Sequence, residues 1–346
     1  MKLWLVAGCL LFCTLRFSAQ DVEADSTHAG YIPTLSGGLG YIYNVNGGTP
    51  TLSPAINPVL LLPIGSHVLV ESRAGFVGVF QRRNGTGDYT GQVFSGIDYV
   101  QWDWLANTHA MVVAGKYLLP FGLYSERLEP IWIATFQDLP IDFPIGTRTT
   151  GAGVGGELRG VVKQTDSYSV QYAVYYSAHS NVYLLSAART TGVDTSVYFP
   201  NQRVEAGISY QRYLDKPQVN SEAAYVSWQP SQVPLDLKAE YDRTLYGQGY
   251  WIQASYMLSQ VPVANSFVKS VEVVGRMQQY FPRHGGGNGF STVNQQRPEV
   301  GLNYYLHDNW RIISSYERRY TPTKDVNVWY VGFTYRFLWP LWLGRK

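Results

Sequence analysis

The sequence has few of the groups that build most catalytic sites and most soluble surfaces. Only two of its 346 residues are cysteine, Cys9 and Cys13, and both lie in an apolar N-terminal stretch. The remainder takes no disulfide and offers no thiolate to a metal. Six histidines, at positions 28, 67, 109, 179, 284 and 307, show no ligand spacing, so neither a metal nor a cofactor is expected. Charged residues make up 15 % of the chain, against roughly 25 % in a soluble domain. The formal net charge of +2 gives no bulk attraction to nucleic acid. Long apolar runs are missing after the N-terminus. The best stretch, Pro58 to Ile64, contains two prolines and falls far short of the ~18 residues a spanning helix needs.

What is present is tyrosine (27), glycine (34) and tryptophan (10), and this aromatic content excludes disorder. The N-terminus reads as an export signal over 1–19: Lys2 supplies the positive charge, Leu3 to Thr14 the apolar core, Ser18 and Ala19 the small residues before the cut. Val22-Glu23-Ala24 offers a second cleavage point after 24, and Val6-Ala7-Gly8-Cys9 is a lipoprotein-like box set too close to Met1. Residues 20–34 read as a flexible N-terminal segment, whose Asp21, Glu23, Asp25 and His28 form a polar tail. The span 35–346 reads as a single β-domain.

In that domain, alternation with period two recurs. Over Leu235 to Arg243, Leu235, Leu237, Ala239 and Tyr241 oppose Asp236, Lys238, Glu240 and Asp242. Over Trp310 to Arg319, Trp310, Ile312, Ser314 and Tyr316 oppose Arg311, Ser315, Glu317 and Arg319. Each strand therefore has one apolar and one charged side. A soluble sandwich hides the apolar side in a core; a membrane barrel turns it to lipid around a wet lumen. The barrel is favoured by aromatics grouped at strand ends (Tyr99, Trp102, Trp104; Trp228; Tyr250, Trp251; Tyr304, Tyr305; Trp329, Tyr330), by closely set charges of both signs on the polar faces, and by the export signal.

Fifteen strands are visible directly: 35–45, 54–64, 67–83, 88–103, 108–118, 150–163, 168–178, 203–213, 219–229, 234–246, 249–258, 267–281, 296–306, 310–320 and 326–337. Alternating the direction of travel from both ends makes 168–178 and 203–213 run the same way. One further strand must therefore lie between 179 and 202. The expected fold is an all-β, transmembrane antiparallel barrel of about sixteen strands, wide enough for a channel.

One connection stands apart. Tyr117 to Thr150 is long, rich in proline and unusually apolar (Leu118-Leu119-Pro120-Phe121-Gly122-Leu123 and Ile131-Trp132-Ile133-Ala134). Such groups need cover, either by folding into the lumen as a constriction or by packing over the mouth or a neighbouring subunit. The constriction candidates are Pro120, Phe121, Gly122, Glu126, Arg127, Glu129, Asp138, Asp142 and Arg148.

Gly115-Lys116-Tyr117-Leu118-Leu119-Pro120-Phe121-Gly122, followed by Gly146-Thr147-Arg148 and the glycine-rich run to Gly160, resembles the phosphate-selective porins O and P. The resemblance is clear over 108–163 and elsewhere is one of strand pattern. It implies a sixteen-stranded homotrimer with an inward-folded third loop and passive transport across the outer membrane of a Gram-negative bacterium; the run Val59 to Leu62 in 54–64, apolar on both faces, reads as a protein contact rather than lumen wall. It does not imply phosphate, because this chain shows no unopposed run of lumen arginines and lysines. The chain also departs at its C-terminus, where Leu338 to Lys346 follow the aromatic Phe337 that normally ends such barrels.

The inward positions predicted to line the pore include Glu71, Arg73, Glu157, Arg159, Lys163, Lys238, Glu240, Glu272, Arg276, Arg311 and Arg319, with Arg203, Glu205, Asp236, Asp242, Arg297, Glu299, Glu317 and Arg336 beside them. Bases and acids nearly balance, which predicts weak average selectivity. Several come as acid and base two apart, on one strand face ~7 Å from each other. They read either as ion pairs that hold the wall or as a charge filter. Gly151, Gly153 and Gly156 match a dinucleotide fingerprint, but a strand rather than a helix follows them. Asn84-Gly85-Thr86 reads as a turn. The expected function is a non-enzymatic channel for small hydrophilic or ionic solutes, with outer-membrane lipid around it. The alternatives are a non-conducting barrel that anchors a complex or binds polysaccharide, and a barrel enzyme.

Overall fold

The computed structural model describes residues 32–82, 87–107, 109–128, 131–141, 151–182, 185–215, 218–244, 246–262, 265–283 and 291–341. The export signal, most of the 20–34 segment and the 342–346 end lie outside the described residues. Sixteen strands run in chain order: β1 Thr34–Asn46, β2 Thr49–Ile64, β3 Val68–Arg82, β4 Tyr89–Asn107, β5 Ala110–Leu118, β6 Ala152–Gln164, β7 Ser169–Ser177, β8 Thr190–Phe199, β9 Val204–Tyr213, β10 Val219–Trp228, β11 Leu235–Arg243, β12 Gly247–Met257, β13 Val271–Pro282, β14 Gln295–His307, β15 Trp310–Arg319 and β16 Val326–Pro340. Each pairs antiparallel with its sequence neighbours, and β1 pairs with β16 to close the barrel. Closure leaves no unpaired sheet edge, a condition that strands in lipid must meet. No helix among the described residues is long and apolar enough to cross a membrane.

The strand inferred from direction alone is β8. Its outer face carries Thr191, Val193, Thr195 and Val197, with one large apolar group, Phe199, at its end, too little apolar character to announce a strand by itself. The outer surface of the barrel exposes Val93, Phe94, Ile208, Val300, Leu302 and Trp329. The inner surface buries polar groups instead, among them Gln211, Gln278, Glu299 and Glu317. The molecule is therefore turned inside out relative to a soluble protein, as a lipid surround requires.

Two sequence expectations are corrected here. The aromatics grouped as an interfacial girdle divide between the faces, because neighbours on a strand cannot point the same way. Trp102, Trp104, Trp228 and Trp329 are on the outer surface, whereas Tyr99, Trp251 and Tyr330 are buried inside. The apolar stretch of β2 does not present both faces to a protein partner: Val59 and Leu61 pair with Arg73 and Glu71 and share their inward face.

The short turns, such as 65–67 and 308–309, lie at one end of the barrel. The long connections lie at the other end, where Asp215 anchors the 178–189 connection by accepting from Arg189 N–H (3.2 Å) and facing His179. The backbone hydrogen bond from Arg189 holds the half-exposed Asp215 carboxyl below its usual range.

Candidate functional site

The 119–141 segment between β5 and β6 does not stay outside. Its apolar residues Leu119, Phe121, Leu123, Tyr124, Phe136 and Ile141 are at most 6 % exposed, and they are covered by lumen-facing side chains of the wall. Leu123 and Tyr124 pack with Tyr225 of β10 and Trp251 of β12. Leu119 packs with Val113, Tyr117 and Tyr175, and Ile141 with Tyr280.

Polar contacts fix the path of the segment. Gly122 N–H donates to Ser209 Oγ (2.9 Å). The next two N–H groups, of Leu123 and Tyr124, donate to Glu240 Oε1 and Oε2 at 3.0 and 3.2 Å. The carboxylate thus satisfies the free N–H groups that open a short helix, α1 (Tyr124–Arg127). Only glycine fits before this helix. Gly122 has φ +70°, and a Cβ there would stand 1.7 Å from Glu240 Oε1. Pro120 is buried beside it.

From α1, Arg127 reaches both oxygens of Glu205 at 2.7 Å, and Glu126 pairs with Arg159 of β6. The chain then crosses to the opposite wall. Arg311 Nη2 donates to the carbonyls of Ile131 and Ala134 at 3.2 and 2.8 Å. A Cβ on Gly38 or Gly40 would stand 2.5 Å or 2.6 Å from Trp132 or Ile131, so β1 is stripped of side chains where the loop lies on it. Ser315 Oγ donates to Gln137 Oε1 (2.9 Å), and Asn303 Nδ2 to Thr135 O (3.2 Å). Asp138 pairs with Arg276, which also holds Glu299 at 2.7 Å. Ile141 N–H donates to Gln278 Oε1 (2.9 Å).

The candidate residues therefore separate by role. Gly122, Glu126, Arg127 and Asp138 are placed on the lumen-crossing segment, with Pro120 and Phe121 at its buried start. Glu129, Asp142 and Arg148 lie outside the described residues. Among the wall residues, Arg159, Glu240, Arg276 and Arg311 hold the loop. Arg73 pairs with Asp98 of β4 (3.1 Å). Glu71 accepts from the Tyr99 hydroxyl, and Glu272 from Asn303 Nδ2 and Tyr305 OH. Lys238 pairs with Asp236, and Arg319 with Glu317 and Tyr330 OH. Lys163 leaves the inward row. A register shift between Val161 and Lys163 pairs it with Val170, on the outer face shared with Val174, and its ammonium sits 5.4 Å from the ring centre of Tyr168. Only some of the two-apart acid–base pairs form on one strand. Glu157/Arg159 and Glu317/Arg319 do, while Glu205, Glu299 and Arg297 find partners on the loop or on neighbouring strands.

Beside the loop remains an open space of about 260 Å³, lined by Ser36, Val59, Leu61, Glu71, Arg73, Tyr99, Gln101, Leu118, Glu126, Trp132, Glu157 and Arg159. Gln101 was not singled out by sequence, and Tyr99 and Trp132 were read as a strand-end aromatic and a loop residue needing cover, not as lining of this space. The alternation Tyr99, Gln101, Asp103 opposite Glu71 was the signal that places the first two inside.

Replacing Gly122 with alanine should release this end of the loop. Left-handed strain of ~1–2 kcal/mol adds to the loss of at least one charge-assisted hydrogen bond of ~1.5–3 kcal/mol. Protease cleavage within 119–141 of the folded Gly122→Ala barrel should be markedly faster than in the parent; equal rates would show that Glu240 does not hold the loop.

A closed sixteen-stranded antiparallel barrel with a polar interior and a loop folded across it has the architecture of outer-membrane porins. Solved structures of such proteins share it. The chain is similar to OmpF of Salmonella typhi, crystallised with daunomycin, at 13 % identity and a TM-score of 0.61, covering 89 % of this chain and 98 % of that one. It is similar to the anion-selective porin of Comamonas acidovorans at 10 % identity and 0.51, covering 88 % and 98 %, and to OprB of Pseudomonas putida at 10 % identity and 0.52, covering 90 % and 95 %. No protein-family model and no curated protein matches the sequence. The likeness to the phosphate-selective porins thus stays with the Gly115–Gly122 motif.

Proposed function

We propose that the chain is an outer-membrane porin of a Gram-negative bacterium that lets small hydrophilic or ionic solutes diffuse passively through its lumen. The observation that carries this reading is the inner surface. It is lined by charged and amide side chains, it is crossed by one loop anchored on opposite walls, and it retains an open polar-lined space beside that loop. A barrel that only anchored a partner has no use for a hydrated interior narrowed at one level.

The chain is non-enzymatic on this reading. Ser66 Oγ meets His67 Nδ1 at 2.7 Å, but the two are adjacent residues in an exposed turn, not a nucleophile and base brought together by the fold. The proposed assembly is a homotrimer. Its support is the Gly115–Gly122 resemblance alone, since the inward-facing Val59 and Leu61 no longer argue for a subunit contact. Phosphate preference is not part of the proposal, because most lumen arginines are committed to carboxylates or loop carbonyls.

Purified protein in a planar bilayer should give stepwise, ohmic current increments, and its mass in mild detergent should be three times that of the chain. A bilayer that stays silent with correctly folded protein would remove the channel reading; a monomeric mass would remove only the trimer.

A further inference from the structure

The charges that balance over the whole wall do not balance in the space the loop leaves open. Arg276 is enclosed by Asp138 and Glu299, Arg311 is spent on loop carbonyls, and Arg297 and Arg319 both face Glu317. The open passage lies against the other wall. Among the described residues, Glu71, Glu126 and Glu157 line it with only Arg73 and Arg159 as cations. Arg73 is already paired to Asp98, and Arg159 is shared among Glu126, Glu157 and the nearby Asp103.

Among the described residues, Glu71, Asp98, Asp103, Glu126 and Glu157 thus face two guanidinium groups and the Lys116 ammonium near Asp98. One carboxylate stands out. Glu157 is 4 % exposed, and its buried Oε1 has no hydrogen-bond partner, the Arg159 Nε lying 3.8 Å away. The same passage carries an apolar and aromatic side made by Trp132, Tyr99, Val59, Leu61 and Leu118.

Resting on the channel reading above, the geometry points to organic cations, ammonium groups bearing an apolar body, as the solutes this passage favours. Excess carboxylate in a narrowed space of lowered dielectric repels anions and attracts cations. That much serves potassium as well. The aromatic faces add attraction for a weakly hydrated ammonium, and the aliphatic side chains cover its hydrocarbon part. Glu126, whose side chain is 34 % exposed, is the carboxylate such a solute can touch, and the buried Glu157 adds its field.

The test uses the purified full-length channel in a planar bilayer under a potassium chloride gradient, with tetraethylammonium and benzenesulfonate as probes of opposite charge. The expected reversal potential has the sign of potassium preference, and tetraethylammonium should reduce the current at lower concentration than benzenesulfonate or sodium. Glu157→Gln should move the reversal potential toward zero. Glu126→Gln, on the loop surface where folding is less at stake, should do the same. Trp132→Ala should weaken the tetraethylammonium block by about 2- to 5-fold, the equivalent of one cation–π contact. Lys163→Gln, on the outer face, should change neither reading. A reversal potential at zero or of chloride sign, or a block by tetraethylammonium no stronger than by sodium, overturns the inference and leaves the channel reading standing. Absence of any current overturns both.

Discussion

Deleting residues 124–142 should raise single-channel conductance severalfold while the barrel stays folded. All sixteen strands are joined to their neighbours without help from this segment, so its removal breaks no strand pairing. What it does remove is matter from the lumen: α1, the crossing to β1 and β15, and the return to β13. A sixteen-stranded barrel is wide enough for an aqueous channel once its interior is clear, and conductance follows the open cross-section. Arg276, Glu299 and Glu317, buried at present, would be hydrated rather than stranded. Retention of the folded barrel is read from its altered gel migration before and after heating. Unchanged conductance in a folded deletion would mean that the loop covers the outside of the mouth, and the constriction role of Glu126, Arg127 and Asp138 would fall with it.

The largest single-residue effect is expected at Arg276. Its side chain is 1 % exposed and holds Glu299, whose side chain is 0 % exposed, together with Asp138 of the loop. Arg276→Ala leaves a buried carboxylate without its counter-charge, a change worth ~3–5 kcal/mol. The loss should appear as a lower unfolding temperature and faster proteolysis of the loop. Because the penalty comes from the stranded charge, Arg276→Met combined with Glu299→Gln should recover most of it. A single variant as stable as the parent would show that Arg276 does not bind loop to wall.

Much of the barrel is written in the chain because lipid imposes a strict rule on it. Each strand must alternate, and direction must alternate from strand to strand. That is why β8 followed from parity even though Thr191, Val193 and Thr195 hardly mark an apolar face. That the loop needs cover followed from Leu119, Phe121 and Trp132, though the lumen was one of two covers the sequence left open. Its anchors were less legible. Glu240 meets the backbone of Leu123 across |i−j| = 117, and no local pattern couples the two; the glycine at 122 is the only trace. Lys163 was misplaced because one bulge reverses the faces of a strand, and bulges have no sequence signature here. An irregularity between Arg73 and Ala74 likewise sets Asp98 beside Arg73, a pairing no local pattern announces.

The central claim, that the loop lies inside the barrel and reaches its far wall, is tested most directly by cross-linking. Both cysteines, Cys9 and Cys13, belong to the expected export signal, so introduced thiols would be the only ones in the exported chain. Gln137→Cys on the loop and Ser315→Cys on β15 place thiols where Gln137 Oε1 and Ser315 Oγ now lie 2.9 Å apart. A short bis-thiosulfonate should join them within the folded barrel, seen as a reducible change in gel mobility and a loop resistant to release after proteolysis. The account predicts near-complete bridging. Two thiols that each react singly but never join would contradict it.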